Sequence, residues 1–547
     1  MNGIETIAHI LRQEGVEWMA CYPNNPLIEA VAAEGIRPIA FRHERGAIMA
    51  ADGYSRVSDR QRFGVVAVQS QAGAENSLGG IAQAFADNIP ILVLPGGIPL
   101  DQIGVRPNFS AQHNYQGVVR RVETIYKPEQ IGSVMRRAFH ALRNGPAGPV
   151  VVELSEDVCG EQVPPAGREY HTPTRQVQQP GIEDVRAAAE ALLAAKKPLI
   201  WSGAGVLFAR ATEELKALAE LTEIPVFCTM PGKSSFDERH PLSLGAGSRA
   251  ASLAARRWIE ECDVLLALGS SLTRSLYGQV IPPGKLIIHN SDNPDEINKD
   301  ENAAIGLPGD ARLTLQALLE EVSSILGPQG RARQKSPVGE IAALKDEWLA
   351  EWKPLLDSEE EPINTYRVIR EIDRNLDREQ SIVTHDAGAP RDSIVPFYTA
   401  TAPHSYIGWG KTTHLGFGIP LLIGAKLAQP DKFCLNLMGD GAFGMSGIDI
   451  ETSARAGVPI TTVVLNNSGM ATYPGGFPTA RERYGVSQMK GDYAQIAEGM
   501  GAVGIPVAKV DELAPALKEA QGLNAGGRTV LIDVRSNLEG RRSRWDN

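Results

Sequence analysis

Two stretches organise this chain: Phe433-Cys434-Leu435-Asn436-Leu437-Met438-Gly439-Asp440-Gly441-Ala442, and further on Ile460-Thr461-Thr462-Val463-Val464-Leu465-Asn466-Asn467-Ser468-Gly469. Each is an apolar, β-rich run that ends in small and polar residues. Between them Phe443 to Ala456 reads as a loop and a helix, and Val458-Pro459 turns the chain into the second run. Strands of this kind leave their last residues at the carboxyl edge of a parallel sheet, where open α/β folds bind ligands. The carboxylate of Asp440, the side-chain amide of Asn467 and a nearby backbone carbonyl, taken as that of Gly469, make an all-oxygen set. Such a set suits a hard divalent cation, Mg²⁺ above all, which completes its shell with water and phosphate oxygens. Gly and Asp are common turn residues, so Gly-Asp-Gly alone says little. Its spacing to Asn-Asn, with a helix and a strand between, says much more.

Far upstream, Arg42-His43-Glu44 follows the strand-like Arg37-Pro38-Ile39-Ala40-Phe41 and opens a small-residue helix from Gly46 to Tyr54. Glu44 at that junction has two readings. It can cap the helix and complement its dipole, or it can be an acid held in a mostly apolar site to exchange a proton with a ligand. A third element, Gly410-Lys411-Thr412-Thr413-His414-Leu415-Gly416-Phe417-Gly418-Ile419-Pro420, lies just before the Asp440 stretch. On its own Leu415 reads as a core leucine.

Apolar strands alternate with helical periods along the whole chain, which predicts parallel α/β sheets. Expected strands are Trp18–Tyr22, Ile36–Phe41, Phe63–Gln69, Ile89–Leu94 and Pro149–Leu154; then Pro198–Trp201, Pro225–Cys228, Val264–Leu268 and Lys285–His289. Ser381–Thr384, Ser405–Ile407, Phe433–Met438, Ile460–Leu465 and Thr529–Val534 follow. Connections over Gln162 to Pro180, Gly327 to Ser336 and Asp346 to Glu361 divide the 547 residues into three units, 1–165, 182–328 and 360–540. With 43% apolar and 22% charged residues the composition is that of a globular protein. A net charge of −11 argues against nucleic acid or an anionic membrane as partner. No run approaches the ~20 apolar residues of a membrane helix, and the first residues lack the pattern of a signal peptide. Cys21, Cys159, Cys228, Cys262 and Cys434 are scattered and odd in number, so free thiols and a cytoplasmic location are expected.

The Gly-Asp-Gly to Asn-Asn spacing resembles the diphosphate–metal motif of thiamine diphosphate (ThDP) enzymes. The three-unit plan resembles the acetolactate synthase / benzoylformate decarboxylase-like branch of that family. Tyr22-Pro23-Asn24-Asn25-Pro26, Gly73-Ala74-Glu75-Asn76 and Gly145-Pro146-Ala147-Gly148-Pro149-Val150-Val151-Val152-Glu153 add to the likeness. It implies three Rossmann-like parallel-sheet domains: pyrimidine-binding, central, and diphosphate- and Mg-binding. It implies that Glu44 hydrogen-bonds N1′ of the aminopyrimidine and drives its imino tautomer, whose N4′ takes the proton from thiazolium C2. Leu415 would be the wedge that bends the cofactor; acetolactate synthases usually carry Met there and benzoylformate decarboxylases Leu. Gly73, Gly439, Asp440, Gly441, Ala442, Asn467 and Gly469 would complete the cofactor site, with Asp440, Asn467 and Gly469 on the metal. Active sites would lie between chains of a homodimer or dimer of dimers, such as a homotetramer.

The resemblance also implies a substrate pocket. Asn24 and Asn25 fall where acetolactate synthases have a Gly-Gly pair, and Asn25 also matches a serine that contacts substrate in benzoylformate decarboxylases. Gln69 sits where those decarboxylases place a catalytic histidine, and Gln112-His113 fall near the family's Phe-Gln-Glu segment. Asn25, Gln112 and His113 are accordingly expected beside Glu44 as catalytic-pocket residues, a histidine there being able to shuttle protons. Tyr473 and Phe477 are candidates for a lid, or for a plain turn. The histidine pair of pyruvate decarboxylases is absent. Ser202-Gly203-Ala204-Gly205 and Gly245-Ala246-Gly247-Ser248 leave FAD possible but not indicated, and Arg541-Arg542-Ser543-Arg544 is the sole candidate for a CoA site.

The expected activity is that of a ThDP- and Mg-dependent lyase/carboligase, acetolactate synthase-like. A 2-oxo acid would be decarboxylated to an enamine, which is ligated to a second carbonyl to give a 2-hydroxy ketone or acid. The alternatives are a non-ligating decarboxylase of the benzoylformate type and a non-catalytic ThDP-binding regulator; retention of Glu44 with Asp440 and Asn467 argues against the last. No Gly-x-Gly-x-x-Gly follows the first strand, which excludes a Rossmann dehydrogenase.

Overall fold

A computed structural model describes residues 1–327, 336–470 and 476–544. It contains three six-stranded sheets whose strands all pair in parallel. The first comprises β1 (Trp18–Tyr22), β2 (Arg37–Ala40), β3 (Gly64–Val68), β4 (Ile91–Gly97), β5 (Arg121–Thr124) and β6 (Val150–Ser155), in the order β2-β1-β3-β4-β6-β5. The second holds β7 (Leu199–Ser202), β8 (Val226–Thr229), β9 (Ser243–Gly247), β10 (Val264–Leu268), β11 (Leu286–Ser291) and β12 (Ile305–Pro308), ordered β12-β11-β10-β7-β8-β9. The third holds β13 (Ser381–His385), β14 (Tyr406–Ile407), β15 (Phe433–Gly439), β16 (Thr461–Asn466), β17 (Val503–Val507) and β18 (Val530–Arg535), ordered β14-β13-β15-β16-β18-β17.

The central strands are buried on both faces and read as continuous apolar runs, as parallel sheets covered by helices require. β3 (Gly-Val-Val-Ala-Val) and β10 (Val-Leu-Leu-Ala-Leu) are buried at every position. Four strands lie beyond those the sequence predicts: β5, β9, β12 and β17. All four are edge strands. Their sequences Arg-Val-Glu-Thr, Ser-Leu-Gly-Ala-Gly, Ile-Gly-Leu-Pro and Val-Gly-Ile-Pro-Val carry the charge, Gly and Pro that edges tolerate and that blur a strand signal.

Within the chain the first and third units share one apolar core. Ile48, Met49 and Ala50 of the Glu44–Val57 helix pack with Leu421, Leu422 and Ala425 of the Gly418–Ala428 helix. The two helix backbones approach as closely as glycine allows. A Cβ on Gly424 would stand 1.8 Å from the Ala50 carbonyl oxygen, and one on Gly53 2.1 Å from that of Leu421. Among the described residues no helix is long and apolar enough to cross a membrane, and all five cysteines are free and buried.

Candidate active site

In the third sheet the chain leaves β13 toward the β14 edge but continues from β15 to β16 on the other side. The crevice between the carboxyl ends of β13 and β15 is therefore the switch point at which open α/β sheets bind ligands. Asp386 stands just past β13, and Asp440 just past β15.

Asp440 is buried and opens the Asp440–Ser446 helix, with Gly439 as its cap. Its Oδ1 accepts the Gly441 N–H at 2.8 Å, and the N–H groups of Ser468 and Gly469 also face the carboxylate. β15 and β16 are in register with Gly439 opposite Leu465, which delivers the Asn-Asn turn to this point. Burial pushes the Asp440 carboxyl above its ordinary value, against the pull of those N–H groups. Its Oδ2 is buried and has no hydrogen-bond partner among the described residues. The two asparagines divide the work. Asn467 Oδ1 accepts the Gly469 N–H at 3.0 Å and fixes the turn. Asn466 is buried and donates to Asp533 Oδ1 at 2.9 Å and to the Gly491 carbonyl at 3.2 Å. Ala442 lies in the apolar core under this turn.

Asp386 was not singled out by sequence. It is fully buried, and its two oxygens accept the N–H groups of Ala387 (2.8 Å), Gly416 (2.9 Å) and Gly418 (2.9 Å). Burial raises its carboxyl to about 6, although those N–H groups act to lower it. Asp386 thus holds the loop on which Leu415 stands 37% exposed. Gly416, at φ +80°, abuts Met445 and Ser446 of the Asp440 helix. The readable signal was an acid at the end of the β-rich run Ser381-Ile382-Val383-Thr384-His385, much as Asp440 ends its own run.

In the first sheet Glu44 is 5% exposed, and its Oε2 accepts from Asn76 Nδ2 at 3.2 Å. The cap of its helix is His43, whose Nδ1 accepts the Arg45 N–H at 3.1 Å. The carboxylate is therefore not spent on capping. Gly73 lies against it: a Cβ there would sit 3.5 Å from Glu44 Oε1 and 3.0 Å from the Gln69 Cβ. The structure thus gathers Glu44, Gly73, Gln69 and Asn76. Asn25 opens the Asn25–Ala33 helix and is exposed, as is Gln69. Asn24 reaches the Val68 carbonyl at 3.4 Å. Gln112 and His113 belong to the short Ala111–Asn114 helix, which follows a segment tied to Gln71 through the Phe109 N–H. His113 is exposed, and Gln112 lines a depression with Arg121 and Glu123 beside β5. Phe477 is exposed, and Tyr473 lies outside the described residues.

The two edges meet within one chain. The Arg45 guanidinium donates to the Met445 carbonyl at 3.0 Å, and the Arg42 N–H donates to Asp449 Oδ1 at 3.1 Å. A cavity of about 240 Å³ opens at the switch point of the second sheet, between β7 and β10, and both glycine stretches of that unit contribute to it, through Gly203, Gly205, Gly247 and Ser248. At the C-terminus Arg541 pairs with Glu351 over the Trp352 ring and Arg544 pairs with Asp392, so these arginines serve internal contacts.

The chain matches three family descriptions in order: "Thiamine pyrophosphate enzyme, N-terminal TPP binding domain" over 1–123, "central domain" over 185–318, and "C-terminal TPP binding domain" over 386–534. A probable acetolactate synthase large subunit of Methanocaldococcus jannaschii is 31% identical over 95% of this chain and 90% of that protein. The chain belongs to the thiamine pyrophosphate enzyme family. The acetolactate synthase isozyme 3 large subunit of Escherichia coli is 28% identical over 98% of this chain and 94% of its own length. For the mitochondrial acetolactate synthase catalytic subunit of Saccharomyces cerevisiae the figures are 28%, 95% and 79%.

As a thiamine pyrophosphate enzyme the chain is a ThDP-dependent catalyst, and its residues fit the group. The buried, unpartnered Asp440 Oδ2 is the kind of oxygen a cation would satisfy. Gly73 leaves room beside Glu44 that a side chain would fill. Among the described residues no three His, Cys, Asp or Glu side chains converge.

Proposed function

We propose that this chain is a ThDP- and Mg²⁺-dependent carboligase of the acetolactate synthase type, which decarboxylates a 2-oxo acid and joins the remainder to a second carbonyl. What carries the reading is a conjunction. Along a chain that matches acetolactate synthases nearly end to end, Asp440 keeps a buried oxygen with no partner among the described residues, and Glu44 keeps a buried carboxylate that no cap requires.

Asp440, Asn467 and the Gly469 carbonyl would hold Mg²⁺ and, through it, a diphosphate. Leu415 would support the cofactor from its anchored loop. When bound, the thiazolium supplies the electron sink on which decarboxylation depends. Glu44 would hold a proton against N1′ of the aminopyrimidine, a task for which a carboxyl removed from water is suited. Asn25 and Gln69, exposed at the first sheet's edge, are proposed to face the substrate, and Gln112 and His113 to stand nearer its entrance. The proposed assembly is a homodimer or dimer of dimers, in a reducing cytoplasm that the five free thiols support.

Leu415 favours a second reading, a decarboxylase of the benzoylformate type that protonates where the first would ligate. Mass-spectrometric analysis of products from a panel of 2-oxo acids, with and without acceptor aldehydes, separates the two. The first reading predicts a 2-hydroxy-2-methyl-3-oxo acid from pyruvate alone. Aldehydes as sole products would select the second.

A further inference from the structure

We propose that Gln83 and Asp87, on the first unit, are positioning residues that set the wedge Leu415 through the backbone of the third unit's Gly410–Gly418 loop. Gln83 is fully buried, and both ends of its amide are used. Its Oε1 accepts the Thr412 hydroxyl at 2.8 Å and faces the His414 N–H at 3.5 Å; its Nε2 donates to Asp87 Oδ2 at 2.9 Å. Asp87 Oδ2 accepts the Gly410 N–H at 3.1 Å, and Oδ1 accepts that of Lys411 at 3.3 Å. Arg56 completes the group: it donates to Asp87 at 2.8 Å and reaches the Gly408 carbonyl at 3.4 Å.

On the other side of Leu415, Asp386 takes the N–H groups of Gly416 and Gly418. Every tie therefore ends just before or just after Leu415, while Leu415 itself stays exposed. A large apolar side chain left in the open on a loop fixed from both sides is prepared for something outside the fold. Asp386 anchors one flank from within the third unit. Gln83 and Asp87 anchor the other across the junction, so the first unit sets the wedge as well as supplying Glu44.

The inference rests on the proposed wedge role of Leu415, and the test keeps the two apart. Thr412 is exposed, so Thr412→Val removes the hydroxyl without touching the core; Gln83→Leu removes its partner, and Leu415→Ala tests the wedge. Two readouts are taken: amide hydrogen exchange of residues 410–418 in the cofactor-free chain, and C2–H/D exchange of bound ThDP by NMR. Thr412→Val and Gln83→Leu should each speed loop exchange and slow C2 exchange about tenfold, with ThDP affinity kept, since small misplacements near the chemistry are costly. Thr412→Ser, which keeps the hydroxyl, should restore both readouts. The double variant should be no slower than the worse single, as for two halves of one interaction. Wild-type C2 exchange in Thr412→Val and Gln83→Leu beside slowed exchange in Leu415→Ala would overturn the proposal and leave the wedge standing. Wild-type exchange in Leu415→Ala would overturn the wedge reading and the proposal with it.

Discussion

The carboxyl edges of the first and third sheets face related tasks with different means. At the third sheet the polar side chains are tied down by backbone N–H groups: Asp440 to Gly441, Asn467 to Gly469, Asp386 to Ala387, Gly416 and Gly418. At the first sheet the buried acid Glu44 is accompanied by exposed residues such as Asn25 and Gln69 at separate strand ends. The edge proposed to hold a diphosphate and a cation is built from hydrogen bonds to backbone N–H groups. The edge proposed to meet the substrate presents exposed side chains from separate strand ends and is left open. The same difference explains which residues short motifs reveal.

The sharpest way to break the comparison is at the third edge. Asp440→Ala, and likewise Asn467→Ala, should lower ThDP affinity in the presence of Mg²⁺ by at least about 10²-fold, because even outer-shell partners of a metal cost 10–100-fold. The thermal unfolding of the cofactor-free chain should barely move. Calorimetric titration checks it; undiminished binding by both variants would remove the cation from Asp440.

A smaller effect sharpens which edges pair. The family resemblance puts Glu44 and Asp440 of one site on different chains, yet within the chain Arg45 already reaches Met445. Mixing inactive Glu44→Gln with inactive Asp440→Ala under subunit exchange should restore about a quarter of the activity if sites lie between chains of a closed dimer. No recovery, with hybrids verified by mass spectrometry, would assign both residues to one chain.

Much of this was legible. The β-rich runs before Asp440 and Asn467 fell on neighbouring strands, and the missing strands were all edges, where Gly, Pro and charge suit the structure and hide the pattern. Glu44 needed its companions to be read, since at a strand–helix junction it looks like a cap; the cap proved to be His43. Asp386 was hidden because its partners, Gly416 and Gly418, lie far along the chain and only the fold unites them. The residues proposed to meet the substrate are least legible for the same reason: Gln112 lines a depression beside β5, which no spacing in the sequence could reveal.

The junction between the two regions gives a stability effect. Gly424→Ala places a methyl against the Ala50 carbonyl at a distance no side chain tolerates, so the helices must part. A loss of about 1–3 kcal/mol is expected from overpacking, read in denaturant unfolding; an unchanged midpoint would mean the helices are free to separate.

The gentlest test is electrostatic. Asp449 lies where the third unit touches Arg42 and Gly46, and burial raises its carboxyl to about 6 from 3.8. An acid whose folded value is raised contributes its stability below the unfolded value and loses it as pH rises through the folded one. The stability of the wild type relative to Asp449→Asn should therefore fall between pH 4 and about 6, by up to about 3 kcal/mol, and stay level above. A difference independent of pH would mean that Asp449 is as hydrated folded as unfolded.

The central claim is that the buried acid of one edge serves the cofactor held by the other. It is tested most directly by C2–H/D exchange of ThDP bound to Glu44→Gln. Glutamine keeps the size of the side chain and loses its proton, so calorimetry should find ThDP still bound while exchange slows by about 10²–10⁴-fold. Exchange at the wild-type rate would contradict the account and leave Glu44 as a buried carboxylate with no part in the chemistry.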